Sequence, residues 1–415
     1  MGNQPPQAKP KGFPTKTVIL ITILVIGVLG LGCWGIYEFF FKAHYSPETG
    51  EGLYHVKVEE TNLKNGRIVV KNQLYCKDLV RAGKLFPKSK NSDILIAFQY
   101  KKPNDQALWG TNEDLSRLPT TYFHRGSPIG QVLSNLDWFP QSENTFHADA
   151  RAPLSLVALS APISPVPIPA NTLVGLWAEP SICVVGLCGG TLASYARPYQ
   201  HFHIFEEHTA LKQYSDPSLP NPQFTFVKDA VARGAFVPIH YGEIRTALAQ
   251  PYQNNGIFAE DKGCPENFYH ILIVNTFSTE QVPPKIVSKE AIELYFDKVV
   301  EEGVVCFHTS NKYYDIPKFL ADVAEANGLA CRVSETDYQQ FQSRKKQGKT
   351  YPYQFTSEWV LLARKRDYLD RWCRRKIHRL DNIVPIFQWR TPTSYGKYLW
   401  TDRKHNVSDI VRKNK

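Results

Sequence analysis

The eight cysteines form no C-x-x-C pair and no paired zinc spacing, which excludes a zinc ribbon and a thioredoxin-type redox motif. There is no glycine period. The 25 Gly and 29 Pro of the 415 residues are scattered, so a collagen-like chain is excluded. Apolar poverty is absent too. Hydrophobic residues make up 43% and charged residues 21%, which excludes a disordered chain. Residues 1–340 lack a basic excess. The net charge of +10 comes from residues 341–415, which hold 19 basic and 6 acidic side chains. A nearly neutral bulk with a basic tail argues against a nucleic-acid binder, whose basic stripe runs through the fold. The start lacks the Ser or Thr that N-myristoylation requires six residues in, so no lipid anchor is expected.

What is present begins with an uncharged run. Thr17 to Tyr37 are 21 residues without a charge, mostly Ile, Val, Leu and Gly. A helix of that length spans the hydrocarbon of a bilayer at about 1.5 Å per residue. The run leads into Glu38, Phe39, Phe40, Phe41 and Lys42 and not into a small-residue cleavage site. It therefore reads as an uncleaved single-pass anchor over 17–41, after a polar tail at 1–16 expected to be disordered. Lys9, Lys11 and Lys16 precede it, against Lys42 and Lys57 after it, which leans to a cytoplasmic N-terminus by one charge.

Beyond the anchor, Leu53–Val58, Arg67–Val70 and Ile94–Tyr100 read as a small antiparallel unit in a β-rich domain over 45–160. Pro162, Pro165, Pro167 and Pro169 mark a linker. Over 170–365 strands alternate with helices. Strands are expected at Ser181–Leu187, Phe202–Phe205, Phe236–His240, Ile271–Val274, Val304–His308 and Trp359–Ala363. Helices are expected from about Thr191, at Ile292–Val300 and at Ile316–Asn327. This pattern predicts an α/β domain with a parallel, doubly wound sheet. Cys183 and Cys306 fall in apolar runs and read as buried thiols. A basic segment, 366–415, follows. Arg364, Lys365, Arg366, Arg371, Arg374, Arg375, Lys376 and Arg379 lie within 16 residues, with Tyr368 and Trp372 interleaved. A solvated helix face, contact with anionic lipid, or sequence-blind phosphate contact all fit this composition.

Ligands of such a sheet bind beyond the carboxyl ends of its strands. Val185-Gly-Leu-Cys-Gly-Gly-Thr191 joins the first strand to the first helix and places Gly186, Cys188 and Gly190 there. Glu206 ends the next strand, some 20 residues on, where a carboxylate holds two ribose hydroxyls. Gly242 and Glu243 end the third. Asn275 ends the fourth and leads to Glu280.

In this order the motifs resemble spermidine synthase-like proteins, the polyamine aminopropyltransferase branch of the class I methyltransferase (Rossmann-type) fold, and most of all their bacterial, often membrane-attached group. The resemblance runs from about Pro119 to Trp400. It is carried by Pro119–Gly126, His147–Pro153, Leu176–Pro180, the glycine turn, Ala193–Gln200, Phe226–Gly234, Phe277–Pro283, Lys289–Tyr295 and His308–Tyr313. It implies decarboxylated S-adenosylmethionine or S-adenosylmethionine as a substrate and no metal. It also implies a polyamine or other small amine as acceptor, with Tyr122 on the acceptor side. Several positions depart from the family pattern. Cys188 replaces the middle glycine of G-x-G-x-G. Glu206 is kept, but His208 takes the place of an aspartate. Gly242-Glu-Ile-Arg245 replaces G-D-A-R. Asn275 replaces the aspartate that holds and deprotonates the attacking amine, with Glu280 at the second acid of that turn. The family's H-G-x-x-x-x-x-Q element is not evident, and Asn72-Gln73-Leu-Tyr75 sits near its place. The expectation is therefore a membrane-anchored aminopropyltransferase or its catalytically impaired homologue, with an S-adenosylmethionine methyltransferase as the other enzymatic reading. A homodimer is left open. An active enzyme would need its domain on the cytoplasmic side, where the cofactor is.

Overall fold

A computed structural model describes residues 53–62, 68–77, 93–100, 115–138, 179–198, 200–252, 263–275, 282–311, 313–336, 338–347, 354–374, 387–394, 396 and 398–411. The tail at 1–16, the anchor at 17–41, the proline cluster, the motifs at 147–153 and 277–281, and Glu280 lie outside the described residues. No helix among the described residues is long and apolar enough to cross a membrane. Residues 54–415 form one compact unit.

Strands β1 (Tyr54–Asn62), β2 (Ile68–Lys77) and β3 (Asp93–Tyr100) make an antiparallel sheet in the order β1-β2-β3. Helix α1 (Pro128–Ser134) follows. It is capped by Ser127, whose hydroxyl accepts from the Gly130 amide. The main sheet comprises β4 (Ile182–Val185), β5 (Phe202–Glu206), β6 (Ile239–Tyr241), β7 (Tyr269–Val274), β8 (Val299–His308), β9 (Ala330–Thr336), β10 (Trp359–Ala363) and β11 (Phe387–Arg390). Its order is β6-β5-β4-β7-β8-β10-β9-β11. The pairs β4–β5, β5–β6, β4–β7 and β7–β8 are parallel, and those of β10 with β8 and β9 and of β11 with β9 are antiparallel. The expected all-parallel sheet is thus corrected to a mixed one. The parallel core and the reversed strand β10 inserted beside β8 make a Rossmann-like sheet of the class I methyltransferase type.

The central strands Ile182-Cys-Val-Val185 and Tyr269-His-Ile-Leu-Ile-Val274 are buried at every residue, as strands covered on both faces must be. Helices α2 (Phe226–Ala232), α3 (Ile244–Ala249), α4 (Lys289–Lys298), α5 (Ile316–Ala326), α6 (Tyr338–Lys346) and α7 (Arg366–Trp372) flank the sheet. Helix α4 begins three residues before its expected start because the Ser288 hydroxyl caps the Ala291 amide. It stops at Lys298 because Val299 and Val300 are drawn into β8, which is correspondingly longer than expected. Strand β6 is shorter than expected. Pro238 lacks an N–H for the ladder, and Phe236 makes only an isolated bridge to His201.

Arg364, Lys365 and Arg371 of the basic cluster have structural partners, while Arg375, Lys376 and Arg379 lie outside the described residues. The Arg364 guanidinium donates to the carbonyls of Phe296 (2.5 Å) and Val300 (2.7 Å), where α4 gives way to β8. Lys365 pairs with Glu301 and Arg371 with Glu302, while Leu369 and Trp372 turn inward.

Candidate functional site

From β4 the chain goes to β5 on one side and, after β6, to β7 on the other. The β4/β7 boundary is therefore the topological switch point, where ligands enter such sheets. The strand ends there carry Gly186, Glu206, Gly242, Asn275 and His308.

The glycine turn does not open a regular helix. Cys188–Tyr195 is a tight 3₁₀ segment interrupted at Gly189 (φ 70°) and Gly190 (φ 79°), which corrects the expected helix start at Thr191. Three successive positive φ angles, with Cys188 at 41°, prevent the helical ladder from starting at the turn. Cys188 is a buried non-glycine residue in the left-handed region, where a Cβ is strained. Gly190 is held by packing. A Cβ there would stand 2.8 Å from Val227 Cγ2 of α2. A Cβ on Gly189 would meet Ala97 of β3 at 3.1 Å, so the small sheet packs directly on the turn. Gln99 fixes this docking. Its amide donates to Thr225 Oγ1 (2.9 Å), and its carbonyl accepts from the Thr225 amide (2.7 Å). The Asn72 side chain donates to the Gln223 carbonyl.

Glu206 is 5% exposed and belongs to this turn. One carboxylate oxygen accepts from the Leu187 amide (2.7 Å) and the other from the His208 amide (2.8 Å). Burial pushes its carboxyl up to about 7, although the amide bonds from His208 and Leu187 pull the other way. His208 sits beside it and is hydrogen-bonded through Nδ1 to the Tyr54 hydroxyl of β1 at 2.6 Å.

At the end of β6, Gly242 (φ 135°) has open space where a Cβ would be. The buried hydroxyl of neighbouring Tyr241 has no hydrogen-bond partner among the described residues. Glu243, expected to meet a ligand, caps α3 and accepts from the amides of Arg245 (3.3 Å) and Thr246 (2.7 Å). Arg245 forks onto Asp402 at 3.0 and 3.1 Å.

The ends of β7 and β8 are brought together by register. Val274 pairs with Phe307, which brings Asn275 level with His308, and Trp359 of β10 pairs with His308 from the other side. Asn275 Oδ1 accepts from His308 Nδ1 (3.1 Å), and His308 Nε2 accepts from the Ser310 hydroxyl (3.1 Å), whose oxygen accepts from the Glu358 amide. These roles follow from the network, which gives Asn275 its orientation. The imidazole stacks on Trp359 (4.6 Å, 12°) and packs on Tyr122 (5.2 Å). Burial drives His308 down to about 3, so it is neutral. Asn275 is 1% exposed, and its Nδ2 has no acceptor among the described residues. Thr121, beside Tyr122, has φ 57°, an outlier for a β-branched residue of the kind that clusters at sites.

The structure thus brings Gly186, Cys188, Gly190 and Glu206 together at one turn and Asn275 and Tyr122 together around His308. It gives Glu243 a capping role. His308 and Ser310, noted in sequence only as part of the His308–Tyr313 motif, take part as site residues that the sequence did not single out. The available signal was their position one strand beyond Asn275. Among the described residues no group of three or more His, Cys, Asp or Glu side chains is placed to hold a metal ion.

No protein-family model matches the chain, and no curated protein matches it. Among solved structures it is similar to a probable spermidine synthase from Corynebacterium glutamicum, at 13% identity and a TM-score of 0.31, over 51% of this chain and 66% of that one. It is also similar to the spermidine synthase of Thermotoga maritima, at 14% identity and a TM-score of 0.31, over 50% and 62%. A TehB-like SAM-dependent methyltransferase from Corynebacterium glutamicum is similar at 10% identity and a TM-score of 0.26, over 51% and 93%. The chain spans less than two thirds of the two spermidine synthases. These are likenesses of fold, and the fold itself rests on strand order and direction.

Proposed function

We propose that the protein is a membrane-anchored, spermidine synthase-like homologue. It keeps the nucleoside half of the site and has lost the base that aminopropyl transfer to a diamine requires. The observation that carries this reading is Asn275, buried with its carbonyl oxygen engaged by neutral His308.

Aminopropyl transfer is an in-line attack of an amine on the carbon beside a sulfonium. A cationic diamine must first give up a proton. A positioned base contributes roughly 10²–10⁴ in rate. An amide takes no proton at neutral pH, and an imidazole titrating at about 3 is too weak to serve. Glu206 would accept from the ribose hydroxyls of decarboxylated S-adenosylmethionine or S-adenosylmethionine. Gly242 would leave room for the base, and Tyr122 would border the acceptor. Residues 17–41 would hold the chain in the membrane.

The test is product mass after incubating the full-length protein with decarboxylated S-adenosylmethionine and putrescine. The reading expects nucleoside binding without appreciable spermidine. Strong turnover by the unaltered protein contradicts it. A reporter after Lys415 settles the side of the membrane, and an extracytoplasmic signal would separate the domain from any cytosolic nucleoside.

A further inference from the structure

The end of β6 carries a hydroxyl that the fold leaves without a use. Tyr241 is the last residue of that strand, and its hydroxyl is buried with no hydrogen-bond partner among the described residues. A buried polar group without a partner costs stability, and a ligand can supply the missing partner. The register shows which ligand group is in reach. Tyr241 pairs with Glu206 across the parallel β5–β6 ladder, so both side chains leave the same face of the sheet at adjacent strand ends. Gly242 follows, with open space where a Cβ would stand. Its amide donates to the Glu206 carbonyl (2.9 Å), which holds the two strand ends level.

The charged neighbours of the phenol are engaged elsewhere. The Lys212 ammonium lies over the Tyr241 ring at 5.8 Å and pairs with one Asp216 oxygen at 3.7 Å. The other Asp216 oxygen accepts from the amide and the hydroxyl of Ser218. Glu206 accepts from the backbone amides of Leu187 and His208. Burial raises the phenol above its ordinary titration range, and the charges of Asp216 and Glu206 raise it further, so it keeps its proton and can donate. Glu206, with its carboxyl at about 7, is ionised at pH 8 and can only accept. A donor and an acceptor at paired positions that do not bond each other are bridged by a group that both accepts and donates. An alcohol hydroxyl does both. A ligand carboxylate has no proton for Glu206, and an ammonium has no lone pair for Tyr241.

We propose that Tyr241 is a specificity-determining residue for the nucleoside: its hydroxyl donates to the oxygen of one ribose hydroxyl, whose own proton goes to Glu206. This rests on the reading of Glu206 as the ribose carboxylate. It makes the site selective for a ribonucleoside over one that lacks the bridging hydroxyl, because the deoxy ligand leaves the phenol and the carboxylate without their shared partner.

The test is calorimetry of the full-length protein at pH 8 with methylthioadenosine and with its two monodeoxy analogues, each lacking one ribose hydroxyl. Tyr241→Phe keeps the ring and removes the donor. It should weaken methylthioadenosine binding by roughly threefold to tenfold. It should leave unchanged the binding of one monodeoxy analogue, the one without the hydroxyl that Tyr241 holds. Thermal melting without ligand supplies the second readout. The variant loses an unsatisfied buried group, so it should melt at or above the wild-type temperature. A residue that only supported the fold would lower the melting temperature and weaken all three nucleosides alike. Equal loss for all three nucleosides, no loss for methylthioadenosine, or a lower melting temperature overturns the proposal. If that happens while Glu206→Ala still weakens binding by roughly tenfold or more, the reading of Glu206 stands and the role of Tyr241 alone falls. Absence of nucleoside binding by the wild type overturns both.

Discussion

The end of β5 and the ends of β7 and β8 lie on one edge of one sheet and have opposite chemistry. At β5 a buried carboxyl, Glu206, is held near its titration point at neutral pH by burial against amide hydrogen bonds. At β7 and β8 the oxygen of a buried amide accepts from a neutral imidazole, with no ionised group in the chain of bonds from Ser310 to Asn275. The first arrangement can answer a ligand by changing charge. The second cannot. On the proposed reading, the charge that can respond lies at the nucleoside end and is missing from the acceptor end.

The comparison breaks first at Asn275. Cys188→Gly with Asn275→Asp puts a glycine in the turn and a carboxylate at the end of β7, which on the proposed reading supplies the base. Product mass with decarboxylated S-adenosylmethionine and putrescine should then rise by roughly 10²–10⁴ over the wild type. A folded, nucleoside-binding double variant with no gain would show that the acceptor pocket has changed beyond its base.

The second prediction sharpens the charge at Glu206. Its carboxyl is raised from 4.5 to about 7, so folding favours the protonated form. That contribution is fully present below 4.5 and is lost as pH rises through 7. Urea unfolding should show the wild type losing about 3 kcal/mol relative to Glu206→Gln between pH 4.5 and 7.5. Buried neutral histidines such as His308 act in the other direction, destabilising the fold as pH falls, so the difference between the two proteins is the quantity to read. Parallel curves would contradict the assignment.

Third, Gly190→Ala should destabilise the fold by about 1–3 kcal/mol, because the new Cβ is strained at φ 79° and meets Val227 at 2.8 Å. Cys188→Gly removes strain at a comparable angle and should change stability by less than about 1 kcal/mol. Thermal melting compares the two, and a larger loss in Cys188→Gly would reverse their roles.

How far this was legible in the sequence differs between the two ends. Ile182–Val185 and Tyr269–Val274 announce themselves as continuous apolar runs, and Glu206 follows the glycine turn at the spacing a ribose-binding acid needs. The reversed half was harder. β9 carries Arg332 and Ser334 among its apolar residues, and β11 is partly exposed, so neither stands out as a buried run. The partnership of Asn275 with His308 depends on the β7–β8 register, and the stacking on Trp359 depends on an antiparallel pairing 51 residues away. No local pattern encodes either. The capping role of Glu243 was not legible, because an acid at a strand tip and an acid capping the next helix occupy the same place in sequence.

The central claim is tested most directly by two calorimetric titrations of the full-length protein at pH 8, one with the thioether nucleoside left after aminopropyl transfer and one with putrescine. The nucleoside should bind, and its affinity should fall by roughly tenfold or more in Glu206→Ala. Putrescine should give no heat with or without nucleoside. Putrescine binding together with nucleoside binding that ignores Glu206→Ala would contradict the account at both ends of the site.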